Sequence, residues 1–173
     1  MIYGEKTILC GITKQSSAKI LSWANKPELR KLNGTIYPIS EYEHDQWLNN
    51  KMTNPNEKLF LVCDKQTMEE IGTIGFKNTN WISRNAELYI SLGNEKYTEA
   101  GSKGYGTDAV NTLCNFCFDS LGLHKIYLYV FESNARAIRC YEKAGFSVEG
   151  RLKEHHFFNG SFEDVLVMGK ICK

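Results

Sequence analysis

Asn134-Ala-Arg-Ala137-Ile-Arg-Cys-Tyr141-Glu-Lys-Ala-Gly145-Phe146 is the stretch that decides how this chain is read. It predicts a short helix, with Ser133 as a cap just before it, Gly145 as its stop and Phe146 returning to the core. Asn134, Ala137 and Tyr141 stand at i, i+3 and i+7, so they share one helical face. An amide, a small residue and a phenol in one stripe suit a chain-like ligand laid across the helix. Upstream, Lys103-Gly104-Tyr105-Gly106-Thr107 sets a glycine pair at the start of another helix. Such a start presents free backbone N–H groups and the positive end of a dipole, which is what a pyrophosphate needs. A phosphate cradle followed by a face for an extended tail with a proton donor points to coenzyme A.

Working outward, the remaining elements fall into place by periodicity. Thr7–Gly11, Leu59–Cys63, Glu70–Phe76, Glu87–Leu92 and Lys125–Phe131 have strand character. Two final strands, about 148–157 and 162–170, flank Asn159-Gly160, a favoured two-residue hairpin turn. Gln15–Asn25 has a helical apolar face ending before Pro27, and Ser40-Glu-Tyr-Glu43 is a capping box that launches a second helix. Thr107–Leu121 is helical and stops at Gly122. The expected order is βααβββαβαββ, roughly seven strands and four helices. Neither repeats nor linkers interrupt it, so residues 1–173 read as a single domain.

With these motifs in this order, the chain resembles the GNAT superfamily of acetyl-CoA-dependent N-acetyltransferases. The likeness runs from Thr7 to Lys170. It is strongest to the branch holding the ribosomal-protein N-terminal acetyltransferases and spermidine N-acetyltransferase. Gly145-Phe-Ser-Val-Glu-Gly-Arg-Leu152, Phe157-Phe-Asn-Gly160 and Asp164 are most similar to the spermidine enzyme. The resemblance implies an α/β (α+β) GNAT fold. Its sheet is mixed, mostly antiparallel, and splayed between the fourth and fifth strands to admit the pantetheine arm.

The resemblance also implies roles. The backbone of Ser102, Lys103, Gly104, Tyr105, Gly106 and Thr107 would cradle the pyrophosphate, although Gly101 stands where the family usually has Gln or Arg. Asn134 and Ala137 would hold the pantetheine, and Tyr141 would protonate the departing thiolate. Backbone N–H groups around Ile90, Ser91 and Leu92, freed by a strand bulge, would stabilise the oxyanion. Glu87, or water relayed by it, would take the amine's proton. Acetyl-CoA is the expected cosubstrate, with no metal. The acceptor expected first is a polyamine such as spermidine, then a protein N-terminus, then an amino-sugar nucleotide. A non-catalytic acyl-CoA sensor is the reading of a different class.

Each residue also has a plainer reading. Asn134 serves equally as a helix cap, Tyr141 as a core tyrosine and Glu87 as half of a salt bridge. Glu28, Glu41, Glu43 and Asp45 form an acidic wall for a polycation or, more simply, complement helix dipoles. His155 and His156 are neighbours on a strand, so at most one faces the substrate cleft. Gly104-Tyr-Gly106-Thr-Asp-Ala109 also satisfies a dinucleotide fingerprint, yet Gly93–Lys103 separates it from the preceding strand, where that motif would follow at once.

Composition narrows the partners. Net charge is +1, with 24% charged and 42% hydrophobic residues, so no bulk field recommends nucleic acid or a membrane. No apolar run approaches a membrane span, and the start does not read as a signal peptide, so a cytoplasmic enzyme is expected. The six cysteines lack zinc-site spacing and a histidine context for nucleophilic chemistry, and they read as reduced thiols. A homo-oligomer is compatible with this sequence.

Overall fold

Apolar runs of strand length become eight strands of one sheet in the computed structural model, which describes residues 1–98 and 104–172. In chain order the elements are β1 (Ile2–Tyr3), β2 (Thr7–Cys10), α1 (Lys14–Ala24), α2 (Pro27–Asn33), α3 (Glu41–Thr53), β3 (Lys58–Asp64), β4 (Glu70–Asn80) and β5 (Asn85–Leu92). A 3-10 turn (Glu95–Tyr97) precedes α4 (Tyr105–Asn115), which runs into a π turn at Phe116–Ser120. β6 (Lys125–Phe131), α5 (Ala135–Lys143), β7 (Ser147–Phe158) and β8 (Ser161–Ile171) complete the fold. The strand order is β1-β2-β3-β4-β5-β6-β8-β7, antiparallel throughout except for the β5–β6 pair.

Both faces of the central sheet are covered. Val62, Ile71, Ile74 and Phe76 pack with Ala109, Val110, Leu113, Cys114 and Cys117 of α4 and its π turn. Leu61 and Cys63 take the opposite face, against Ile20 and Trp23 of α1. β4 is therefore buried at every position from Ile71 to Phe76 rather than at alternate ones. The thiols of Cys114 and Cys117 are simply small apolar groups there, and burial pushes the Cys114 thiol up to about 12.

Two elements exceed the expected count. β1 has only two residues, too short for periodicity to show. α2 was hidden by Pro27, read as the end of a helix; Pro27 instead occupies the first turn of a new one, where its missing N–H costs nothing. The fourth and fifth expected strands are accordingly β5 and β6. They pair in parallel only over Asn85–Glu87 and Lys125–Tyr127. Beyond that point β5 continues with β4 to Leu92, while β6 continues with β8 to Phe131. The sheet is splayed where the resemblance implied.

The N-terminal end of α4 is tied to the first hairpin by a single carboxylate. Asp108 accepts from the backbone N–H of Glu5 at 3.0 Å, Lys6 at 3.1 Å and Thr7 at 2.8 Å, and from Thr7 Oγ1 at 2.6 Å. Removing it orphans several donors at once. Asp108→Ala should cost about 2 kcal/mol, or roughly 4 to 8 °C of melting temperature. Thermal unfolding followed by circular dichroism checks this, and an unchanged midpoint would count against the tie.

Candidate active site

The fork between β5 and β6 opens into a cleft of about 1230 Å³. Its walls include Glu87, Ile90, Ser91 and Leu92 of β5, Tyr129 and Phe131 of β6, and Asn134, Ala137 and Tyr141 on α5. Past Glu87 and Tyr127 the facing edges of β5 and β6 do not pair with each other, so polar backbone groups are left to a ligand. The bulge expected at Ile90–Leu92 is not there. The β4–β5 register shifts between Lys77 and Asn80, and the splay itself frees the edge.

Helix α5 presents its predicted face to the cleft. Asn134, not Ser133, is the cap: its Oδ1 accepts from the Ala137 N–H at 3.1 Å. Ser133 Oγ instead donates to Glu163 Oε2 at 2.6 Å. The Asn134 amide Nδ2 has no partner among the described residues, so capping and ligand binding are compatible. Tyr141 is only 7% exposed and packs against Phe146, ring centroids 6.0 Å apart. Its hydroxyl has no hydrogen-bond partner among the described residues. Burial pushes the phenol well above its ordinary value of 10, so it holds its proton at any physiological pH.

Glu87 is 8% exposed and lines the cleft. Its Oε1 lies 3.1 Å from Lys77 Nζ, and its Oε2 accepts from Asn78 Nδ2 at 2.8 Å. The salt bridge of the plainer reading is present, and the carboxylate still reaches the cleft.

α4 begins at Tyr105 behind Gly104, whose left-handed φ of +80° a side chain would resist. Gly104, Gly106 and Thr107 line the cleft, and the first N–H groups of α4 have no acceptor within the helix. Tyr105, expected in the cradle through its backbone, sends its phenol elsewhere, donating to Asp64 Oδ2 at 2.8 Å and packing edge-on to Tyr97 at 4.8 Å. Its role is to anchor the helix start. Ser102, Lys103 and the Gly101 departure lie outside the described residues. Periodicity missed a second stripe on α5. Arg136, Arg139 and Lys143 line the cleft at i, i+3 and i+7, with no acidic partner among the described residues. They suit phosphate groups.

Of the four suggested acidic-wall residues, only Glu28 lines the cleft. Glu43 closes the capping box with Ser40 N–H at 2.8 Å. His156 stacks on Phe131 at 4.3 Å, while His155 is exposed.

Comparison with known proteins decides the family. Residues 7–147 match the acetyltransferase (GNAT) domain family. The chain belongs to that family. This acetyltransferase is 36% identical over 129 residues to a spermidine N(1)-acetyltransferase of Vibrio cholerae, over 74% of its own length and 72% of that enzyme. Its structure is similar to the Vibrio cholerae spermidine N-acetyltransferase in complex with CoA and spermine. The TM-score is 0.85 at 29% identity, covering 96% of this chain and 95% of that one. A dodecameric structure of the Vibrio cholerae enzyme matches with a TM-score of 0.76 at 27% identity, over 96% and 94% of the two chains. No helix among the described residues is long and apolar enough to cross a membrane.

Tyr97, the partner of Tyr105, donates to Glu69 Oε2 at 2.8 Å, beside Lys96 Nζ at 2.5 Å on the same oxygen. Hydrogen bonds from Lys96, Tyr97 and Asn94 draw the Glu69 carboxyl from its ordinary 4.5 down to about 2. A lowered value stabilises the fold above the ordinary pKa, and that stability is lost as pH falls toward the folded value. Melting temperature should therefore fall between about pH 4.5 and 2 more steeply in the wild type than in Glu69→Gln. Parallel slopes would contradict this anchoring network.

Proposed function

We propose that this acetyltransferase moves the acetyl group of acetyl-CoA directly to a primary amine of a polyamine such as spermidine. One observation carries the reading: the Tyr141 hydroxyl, without a hydrogen-bond partner among the described residues, shares a cleft face with Asn134 at the fork of the sheet. A proton donor held there suits a reaction that expels a thiolate. The likeness to an enzyme solved with CoA and spermine supports the choice of substrates.

In this reading the residues divide the work. Gly104, Gly106 and Thr107 offer N–H groups to the pyrophosphate, and Arg136, Arg139 and Lys143 add the charge that Gly101 does not bring. Asn134 Nδ2 and the α5 face hold the pantetheine. The unpaired edge of β5 at Ile90–Leu92 donates to the carbonyl oxygen as it gains charge. Glu87 attracts the acceptor ammonium and takes its proton, directly or through water, since a free alkylammonium stays charged near neutral pH. The nitrogen lone pair attacks the carbonyl carbon, the C–S bond breaks, and Tyr141 gives its proton to sulfur.

A protein N-terminus and then an amino-sugar nucleotide are the alternative acceptors. One domain carries the whole reaction. The dodecameric relative supports assembly of several copies. All six cysteines are free, which fits a reducing compartment and hence the cytoplasm.

A thiol-release assay with spermidine, spermine, peptides and amino-sugar nucleotides tests the reading, with mass spectrometry of the product. Tyr141→Phe should lower kcat on spermidine by about 10² or more while KM for acetyl-CoA changes little. Undiminished turnover would remove Tyr141 as the acid. Product from peptides alone, or from amino-sugar nucleotides alone, would replace the polyamine by that acceptor.

A further inference from the structure

Glu87 meets two neighbours from one strand, which regular β geometry forbids. Successive side chains of a strand point to opposite faces, so Lys77 and Asn78 should not reach the same carboxylate. The register explains how they do. Lys77 stands opposite Glu87, but the next pair is Asn80 opposite Asn85. β4 thus takes three steps where β5 takes two, and the extra residue is a bulge. Asn78 absorbs it with a left-handed φ of +52°, a conformation that asparagine tolerates better than most residues.

The bulge divides the carboxylate between two donors. Asn78 lies outside the cleft lining and donates to Oε2 at 2.8 Å, fixing the rotation of the group from behind. Lys77 lies on the cleft side, with Nζ 3.1 Å from Oε1 and 5.9 Å from the centre of the Tyr89 ring. The oxygen nearest the acceptor therefore already carries an ammonium. Lys51 stands on the other approach to Tyr89, with Nζ 4.7 Å from the ring centre. Lys51 is itself paired with Glu57, so the Glu57 carboxylate is not free for a second positive charge.

We propose that Lys77 is a specificity-determining residue: its ammonium is an internal competitor for the place on Glu87 that an acceptor ammonium takes. This rests on the amine-acetylating reading of the site and refines it. An acceptor enters by displacing Lys77 from Oε1. The lysine side chain is long and 38% exposed, so it swings aside and remains near the cleft. A monoamine meets that retained charge once it has taken its place on Glu87. A polyamine brings further charges toward Lys77 and Lys51 and is penalised more. Lys77 thereby lowers the preference for a polyamine over a monoamine without abolishing it.

The test is the ratio of kcat/KM for spermidine to that for n-butylamine, measured by CoA release. Lys77→Met keeps the chain length and removes the charge. It should raise kcat/KM for spermidine about fivefold and that for butylamine about twofold, through KM in both cases. Lys77→Gln should move the ratio the same way, and Lys77→Arg should keep the wild-type ratio. KM for acetyl-CoA and the melting temperature report that the variants are folded. An unchanged ratio in Lys77→Met and Lys77→Gln, with spermidine still acetylated, overturns the role of Lys77 and leaves the proposed function intact. A wild-type protein that acetylates neither amine overturns both.

Discussion

The parallel pairing of β5 with β6 stops after Glu87 and Tyr127, and the rest of the molecule is arranged around that fork. Unpaired backbone groups inside a fold are costly unless something else satisfies them. Here the strands are held apart because each stays paired on its outer side, β5 with β4 and β6 with β8. Glu87 is the last residue before the strands part, which puts a carboxylate at the apex of the opening. The chain leaves β6 and turns into α5, so the face bearing Asn134 and Tyr141 closes one side. Helix α4 closes the cleft further along, its start tethered by Asp108 to the first hairpin and by Tyr105 to Asp64.

Tyr141 and Glu87, the acid and base of the proposed reaction, sit in different environments within this one opening. Tyr141 is surrounded by apolar neighbours, and desolvation keeps it neutral and able to donate. Glu87 is equally buried but has polar neighbours, an ion pair with Lys77 and a hydrogen bond from Asn78. In the proposed function the cationic stripe of α5 and the start of α4 receive the donor's phosphates.

Much of this was legible in residues close together in sequence. β6 was read with its observed bounds, because the apolar run Ile126–Phe131 follows Lys125 and ends at Glu132. The Asn159-Gly160 turn shows φ values of +48° and +81°, the left-handed pair that its sequence calls for. What periodicity could not supply was anything that depends on register. The fork came from family resemblance, since nothing local in Glu87–Leu92 marks where pairing ends. Lys77 and Asn78 meet Glu87 only because a bulge lies across from it. Nothing near Tyr105 in the sequence marks the destination of its side chain, Asp64 on β3, far away in the chain. Asn134 took the cap from Ser133 because Ser133 was engaged by Glu163 across the sheet.

The fork as the seat of the acetyl donor is best tested by amide hydrogen exchange with and without CoA. Binding should slow exchange at Leu88–Leu92 on β5 and at Gly106–Thr107 of α4, because the ligand takes donors that the sheet and the helix leave open. Exchange in β2 and β3 should stay as it was. If CoA bound with unchanged exchange at both places, the donor would lie elsewhere and the account of the cleft would be wrong.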